Sequence, residues 1–171
     1  AAFPEPAPAI DKQEASTATL LLNVENLSYR YAQRWSIDAL FNPQQEELAV
    51  DNVSFELRRG ETLGLVGESG SGKSTIANIV VGLMAPTSGE VAFDGAPINM
   101  IDKFRSAELR RRIQIIFQDP LSSLNPRRRI ESILTRPLKI FFGMSGAAAR
   151  DRAVELLEDM ELSAELLKRF P

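Results

Sequence analysis

The sequence predicts an α/β fold flanked by an antiparallel β portion on one side and a helical portion on the other. Three observations carry that expectation. An apolar run, TLGLV, leads directly into the glycine-rich stretch GESGSGKST; apolar residues at helical spacing follow at once; and two segments with strand patterning lie upstream. With 171 residues and 44% hydrophobic content, the chain has material for one modest domain.

The first nineteen residues, with Pro4, Pro6 and Pro8 among small and charged neighbours, carry too little apolar surface to fold. Residues 1–19 are therefore expected to form a Pro/Ala-rich linker, and a start on Ala1 instead of Met suggests an internal piece of something longer. Ordered structure is expected to begin at LLLNVENL and to resume at LAVDNVSFEL, where Val53, Phe55 and Leu57 alternate with Asn52, Ser54 and Glu56 as a half-buried strand requires. These two predict an antiparallel pair. Between them, SYRYAQRWSIDALFNPQQEE has no clean period and reads as a long, aromatic-bearing connection. TLGLV then predicts a buried strand.

The loop after it fits G-x-x-x-x-G-K-[ST] as Gly67, Glu68, Ser69, Gly70, Ser71, Gly72, Lys73 and Ser74. Gly67, Gly70 and Gly72 permit backbone angles and close approaches that a Cβ would obstruct, so that successive N–H groups can face phosphate oxygens. The helix expected over 73–83, with Ile76, Ile79, Val80 and Leu83 on one face, adds the positive end of its dipole. Lys73 supplies a point charge for the β- and γ-phosphates, Ser74 offers a hydroxyl to Mg²⁺, and Thr75 reaches the α-phosphate. Binding of a nucleoside triphosphate is the firmest chemical expectation.

Downstream, MAPTSGEVAFDGAPIN predicts a short strand over Glu90–Phe93 closed by a tight reversal at Asp94-Gly95. SAELRRR reads as a helix. The run IQIIFQ predicts an apolar strand over Ile113–Phe117, broken at Gln118-Asp119-Pro120. Two helical stripes follow: Ile130, Ile133, Leu134 and Leu138 before Gly143, then Ala149, Ala153, Leu156, Leu157 and Met160.

Composition excludes several classes. Neither cysteine nor histidine occurs, so disulfides, thiolate chemistry and Cys/His metal sites are ruled out. A net charge of −3 argues against a nucleic-acid partner, and the arginine runs at 110–112 and 127–129 read as solvated faces or contacts to partner subunits. No run approaches the roughly 18 apolar residues that a membrane-spanning helix needs, and the start lacks a signal-peptide pattern, so a soluble, cytoplasmic chain is expected.

Taken together, GESGSGKST, GLMAPTSGEVAFDG and IIFQDPLSSLNPR resemble the nucleotide-binding domain of ABC transporters, and more narrowly the oligopeptide, dipeptide and nickel importer branch. The resemblance spans about residues 20–171 and implies an α/β P-loop ATPase fold of the ABC type, with an antiparallel β subdomain and the start of a helical subdomain from about residue 120. It assigns Gln118 to Mg²⁺, the attacking water and signalling to the membrane subunits; the neutral amide suits this, since it orients water without adding charge beside the phosphates. It also implies an aromatic residue stacked on adenine. Spacing from VENL favours Tyr31, with Tyr29, Trp35 and Phe41 as rivals. Implied cofactors are ATP and Mg²⁺. Implied partners are a second ABC ATPase domain in a homo-, hetero- or fused dimer, transmembrane permease subunits and, indirectly, an extracytoplasmic solute-binding protein, which puts the chain peripherally on the cytoplasmic face of the inner membrane. The LSGGQ-type signature, the second acidic strand motif and the switch histidine of that family do not appear in these residues, so a truncated domain that binds ATP without turnover is expected. Competing readings are a non-transport ABC ATPase of the DNA-repair or translation type and a small P-loop kinase or GTPase in which Asp119 holds Mg²⁺. The second is disfavoured by Pro120, by the sequel SSLNPR and by the lack of a guanine-specifying N-K-x-D.

Overall fold

The computed structural model describes residues 19–31, 48–120 and 122–171, and the chain divides into two compact units, 1–105 and 106–171. The linker expected over 1–19 lies, but for Thr19, outside the described residues, as do Trp35 and Phe41.

The first unit is built on a four-stranded antiparallel sheet of order β2-β1-β3-β4, with β1 (Leu20–Arg30), β2 (Leu48–Arg58), β3 (Ser88–Phe93) and β4 (Ala96–Pro97). The expected pairing of the first two strands is observed, from Leu20 opposite Arg58 to Arg30 opposite Leu48. β1 runs on through Ser28, Tyr29 and Arg30, further than its hydrophobic pattern indicated, because β2 and β3 supply partners on both sides. Mid-ladder, Asn26 and Asn52 both adopt φ of 50°, and the register shifts between Val24 and Leu27. Such a bulge frees backbone donors. Ser54 Oγ accepts from Asn26 N at 2.8 Å and Ser28 Oγ from Asn52 N at 2.9 Å, so each strand repairs the other. The Asp94-Gly95 reversal forms as expected, with φ of 54° and 77° and Phe93 paired to Ala96, the left-handed pair that a two-residue hairpin of the observed twist requires.

Helix α1 (Lys73–Val81) follows the glycine loop and ends at Gly82, whose φ of 92° closes it. Ile76 and Ile79 are buried as expected, whereas Leu83 lies beyond the helix and is exposed. With Leu22, Val24, Leu27, Val50, Val91, Phe93 and Ile98 they make the core of this unit, each large side chain contributing about 1.5–3 kcal/mol on burial.

The second unit holds α2 (Ala107–Arg112), α3 (Ile130–Phe142) and α4 (Gly146–Asp159), followed by a short 3-10 turn over Ala164–Lys168. Ser106 and Ser145 cap α2 and α4, accepting from Leu109 N and Ala148 N. Arg169 O accepts from Ile130 N at 2.9 Å, which ties the final turn to the start of α3. Leu138, Ala149, Ala153, Leu157 and Leu167 form its core, with Ile130, Leu134, Met144, Val154 and Leu166 packed around them. Ile130, Leu134 and Leu138 of the first stripe and Ala149, Ala153 and Leu157 of the second thus pack where the spacing puts them, whereas Ile133 and Leu156 are only half-buried and Met160 falls past the end of α4 and is exposed.

Two expected strands are not formed. Neither the TLGLV run nor Ile113–Phe117 is a strand; Leu63, Leu65, Val66, Ile116 and Phe117 are exposed, Val66 at 97% and Ile116 at 91%. A parallel strand draws every ladder bond from a neighbour and is normally covered on both faces. Among the described residues no strand pairs with either run.

Candidate functional site

The glycine loop and the first turn of α1 form one wall of a cavity of about 260 Å³, with Gly70 to Thr75 on that side and Tyr31, Leu48 and Ala49 facing them. The β1–β2 register explains the second wall. Because Arg30 pairs with Leu48, Tyr31 leaves β1 beside the start of β2. The sequence reading did not single out Leu48 and Ala49; the signal available was that an antiparallel pair brings the end of one strand to the start of the next.

Space dictates Gly72, where a Cβ would run into the backbone carbonyl oxygen of Ala49; on Gly67 a Cβ would lie 2.7 Å from Ser71 Oγ, a side-chain atom that can turn away. Gly70 is needed for conformation instead, with φ of 85° and open space around it.

Gly72 is the N-cap of α1, in the left-handed region at φ of 86°, and no side chain caps the helix. The orphan donors of the first turn are therefore not consumed by a capping side chain, and no acidic residue sits among them. Uncapped N–H groups at the positive end of a helix dipole are a favourable setting for an anion.

Lys73 Nζ donates to Gly67 O at 2.8 Å, Glu68 O at 2.6 Å and Ser71 Oγ at 3.0 Å. Its ammonium thus bridges the loop on itself, with Ser71 N held to Glu68 O at 3.2 Å. Ser69 and Ser74 are exposed. Thr75 is buried, and its Oγ1 shares a hydrogen bond of 3.2 Å with the Tyr31 hydroxyl. Tyr29 meets Tyr31 edge to face, ring centroids 5.0 Å apart, so the two tyrosines brace each other while Tyr31 alone lines the cavity.

Gln118 belongs to the second unit and is exposed. Asp119 beside it serves a turn: its Oδ1 accepts from Ser122 N at 3.4 Å and its carbonyl accepts from Ser122 Oγ at 2.9 Å. The following residues turn again, Asn125 Oδ1 accepting from Arg127 N at 2.9 Å. Among the described residues no group of three or more His, Cys, Asp or Glu is gathered to hold a metal, and no helix is long and apolar enough to cross a membrane.

The residues that the sequence singles out thus fall in two sets: Gly70–Thr75 and Tyr31 line one cavity in the first unit, with Gly67, Glu68 and Ser69 just before it in the loop, and Gln118 stands in the second unit.

Comparison with known proteins places this geometry. Residues 50–170 match the family model described as ABC transporter. The chain is 40% identical over 158 residues to the dipeptide transport ATP-binding protein DppF of Haemophilus influenzae, covering 92% of this chain and 47% of that protein. It is 36% identical to the nickel import ATP-binding protein NikE of Escherichia coli, covering 88% and 55%. To a putative peptide import ATP-binding protein of Brucella ovis it is 41% identical, covering 90% and 46%. The chain therefore spans about half the length of the curated relatives it matches. Among solved structures, the dimeric, post-hydrolysis ATP-binding cassette MJ0796 bound to ADP and Pi superposes with a TM-score of 0.66 at 28% identity, covering 88% of this chain and 62% of that one. With a matched family model across most of its length, relatives at about 40% identity, and an uncapped, glycine-built helix N-terminus at the matched loop, this chain belongs to the ABC transporter family.

Proposed function

We propose that the chain is the nucleotide-holding part of the ATP-binding and ATP-hydrolysing component of an ABC importer that energises uptake of peptides or similar small solutes. The observation that carries the reading is the uncapped start of α1, walled by Gly70–Thr75 on one side and Tyr31 on the other. Its shape and donors fit a nucleoside triphosphate. The first-turn N–H groups and Lys73 would take the phosphates, with Lys73 exchanging its present carbonyl acceptors for phosphate oxygens, and the Tyr31 ring would carry the adenine. Stacking suits any flat base, so this contact contributes affinity more than base identity. Ser74, exposed beside Lys73, would hold Mg²⁺, and Gln118 in the second unit would serve Mg²⁺ and the attacking water. Bound Mg²⁺ would neutralise charge on the phosphates.

The names of the relatives support an importer of dipeptides, peptides or nickel over a non-transport ATPase. In that setting the partners would be a second ATPase domain, paired transmembrane permeases and, through them, a solute-binding protein, with the chain on the cytoplasmic face of the membrane. Two measurements test this. Calorimetric titration should give one MgATP site per chain, and membrane vesicles carrying the full transporter should take up dipeptide or nickel only with ATP. A chain that does not bind MgATP, or uptake that persists with Lys73 replaced by Ala throughout the transporter, overturns the proposal.

A further inference from the structure

We infer that Arg105 is a positioning residue for nucleotide binding, holding α1 by its far end so that its N-terminus is aimed at the phosphates. The inference rests on the nucleotide-binding reading above and adds to it a residue outside the cradle.

Arg105 is only 5% exposed, and its guanidinium donates to four backbone carbonyls. Nη1 reaches Val80 O at 2.7 Å, Nη2 reaches Ile79 O at 3.3 Å and Ile98 O at 2.7 Å, and Nε reaches Met100 O at 2.9 Å. Ile79 and Val80 lie in the last turn of α1, where a cation complements the negative end of the dipole; Ile79 O also accepts from the N–H of the C-cap Gly82 at 3.0 Å, so Arg105 reinforces a carbonyl that the cap already holds. Ile98 and Met100 lie just past β4, and Ile98 is fixed to the sheet by its N–H, which donates to Val91 O at 2.8 Å. One planar fork therefore bridges the helix end and the sheet. Lysine, with a single nitrogen, has no equivalent geometry.

Gly82 makes the room. It closes α1 at φ of 92°, and a Cβ there would come within 2.7–2.9 Å of Cζ, Nε and Nη1 of Arg105. Both a side chain at 82 and the loss of the fork at 105 would unseat the same clamp.

The connection to the nucleotide is mechanical. Nine residues make α1 about 13 Å long, short enough to move as one body. Its near end is set by Gly72 pressed on Ala49, its middle by buried Ile76 and Ile79, and its far end by Arg105. Without the far anchor the helix can tilt about Gly72, and the donors and Lys73 move relative to the base surface at Tyr31. Misplacement on the scale of 1 Å is costly for a set of converging polar groups. Adenosine carries the base and no phosphate, so it does not use the start of α1. Loss of Arg105 should fall on the share of affinity that the phosphates provide.

The test measures dissociation constants for ATP and for adenosine on the full 171-residue chain and on Arg105→Lys, Arg105→Ala and Gly82→Ala, with thermal denaturation of the same samples. Adenosine affinity is expected to stay constant while the ATP advantage over adenosine falls about tenfold in Arg105→Lys and in Gly82→Ala. Should Arg105→Ala fail to fold, the other two variants decide. An unchanged ATP-to-adenosine ratio in folded Arg105→Lys and Gly82→Ala, or parallel weakening of both ligands, overturns the positioning role. Absence of ATP binding by the unmodified chain overturns the nucleotide reading instead, and is seen before any variant is made.

Discussion

The hydroxyl of Tyr31 lies 3.2 Å from Oγ1 of Thr75, which joins the residue after β1 to the first turn of α1 beside the cavity. Ring and hydroxyl thus have separable tasks. If the ring is the base surface, Tyr31→Ala should weaken ATP binding by about 1–2 kcal/mol. Tyr31→Phe should leave ATP binding within a few tenths of that of the parent chain while costing about 0.5–1.5 kcal/mol of stability, because Thr75 loses its partner. Trp35→Ala should cost ATP binding little. Calorimetry and thermal denaturation on the three variants separate these outcomes, and a large loss in Trp35→Ala alone would move the base site to Trp35.

Lys73 now spends its ammonium on Gly67 O, Glu68 O and Ser71 Oγ. Lys73→Ala removes the side-chain cation nearest the uncapped helix start, and MgATP affinity should fall by about 1.5–3 kcal/mol, the range for hydrogen bonds to charged groups. Binding within a factor of two of the parent chain would show that the N–H groups alone hold the phosphates.

The loop glycines differ in what an added methyl would meet. Gly72→Ala sets a Cβ 2.2 Å from Ala49 O in a left-handed conformation, whereas Gly70→Ala meets nothing within 4 Å and bears only the conformational cost, about 1 kcal/mol. Gly72→Ala should therefore lower the denaturation midpoint clearly further than Gly70→Ala. Equal shifts would mean that β2 yields easily at Ala49.

Turnover is a separate matter from binding. Gln118 carries a neutral amide, which can orient a water but cannot take its proton. Hydrolysis also needs a polarised water and neutralised developing charge. The 171-residue chain is expected to bind MgATP and to release no phosphate above background. Release at about 1 s⁻¹ or faster that vanishes in Lys73→Ala would show a complete ATPase.

How much of this was legible in the sequence depends on where the deciding contacts lie. The Asp94-Gly95 hairpin and the buried faces of α3 and α4 follow from neighbours within a few positions, and they appear where the pattern puts them, whereas the helix expected over 73–83 stops two residues early, at Val81, before the left-handed Gly82. The loop also appears where its pattern puts it, although its Gly72 is required as much by the carbonyl of Ala49 on β2 as by its own backbone angles. Val66 and Ile116 read as strand interior and are exposed, because an apolar run becomes a strand only where another strand pairs with it. Arg105 went unremarked for a related reason. In DKFRSAE it is one charge among several, and its acceptors at Ile79 and Val80 are 26 and 25 residues away. No short-range pattern announces such a contact. Tyr31 stood out only because the family resemblance implies an aromatic after the first strand and the spacing from VENL favours it over its rivals; its place in the cavity came from the register of β1 on β2.

The fit between Gly82 and Arg105 also bears on how this sequence can drift. Space for the guanidinium exists only while position 82 has no side chain, and the helix end is clamped only while position 105 has a fork. Descendants that gain a residue larger than glycine at 82 should carry something shorter than arginine at 105, with another group taking over the carbonyls of Ile79 and Val80. Lineages that keep the arginine should keep the glycine. Two sites far apart along the chain are therefore expected to be inherited as a pair, and either change made singly should be rare among viable relatives.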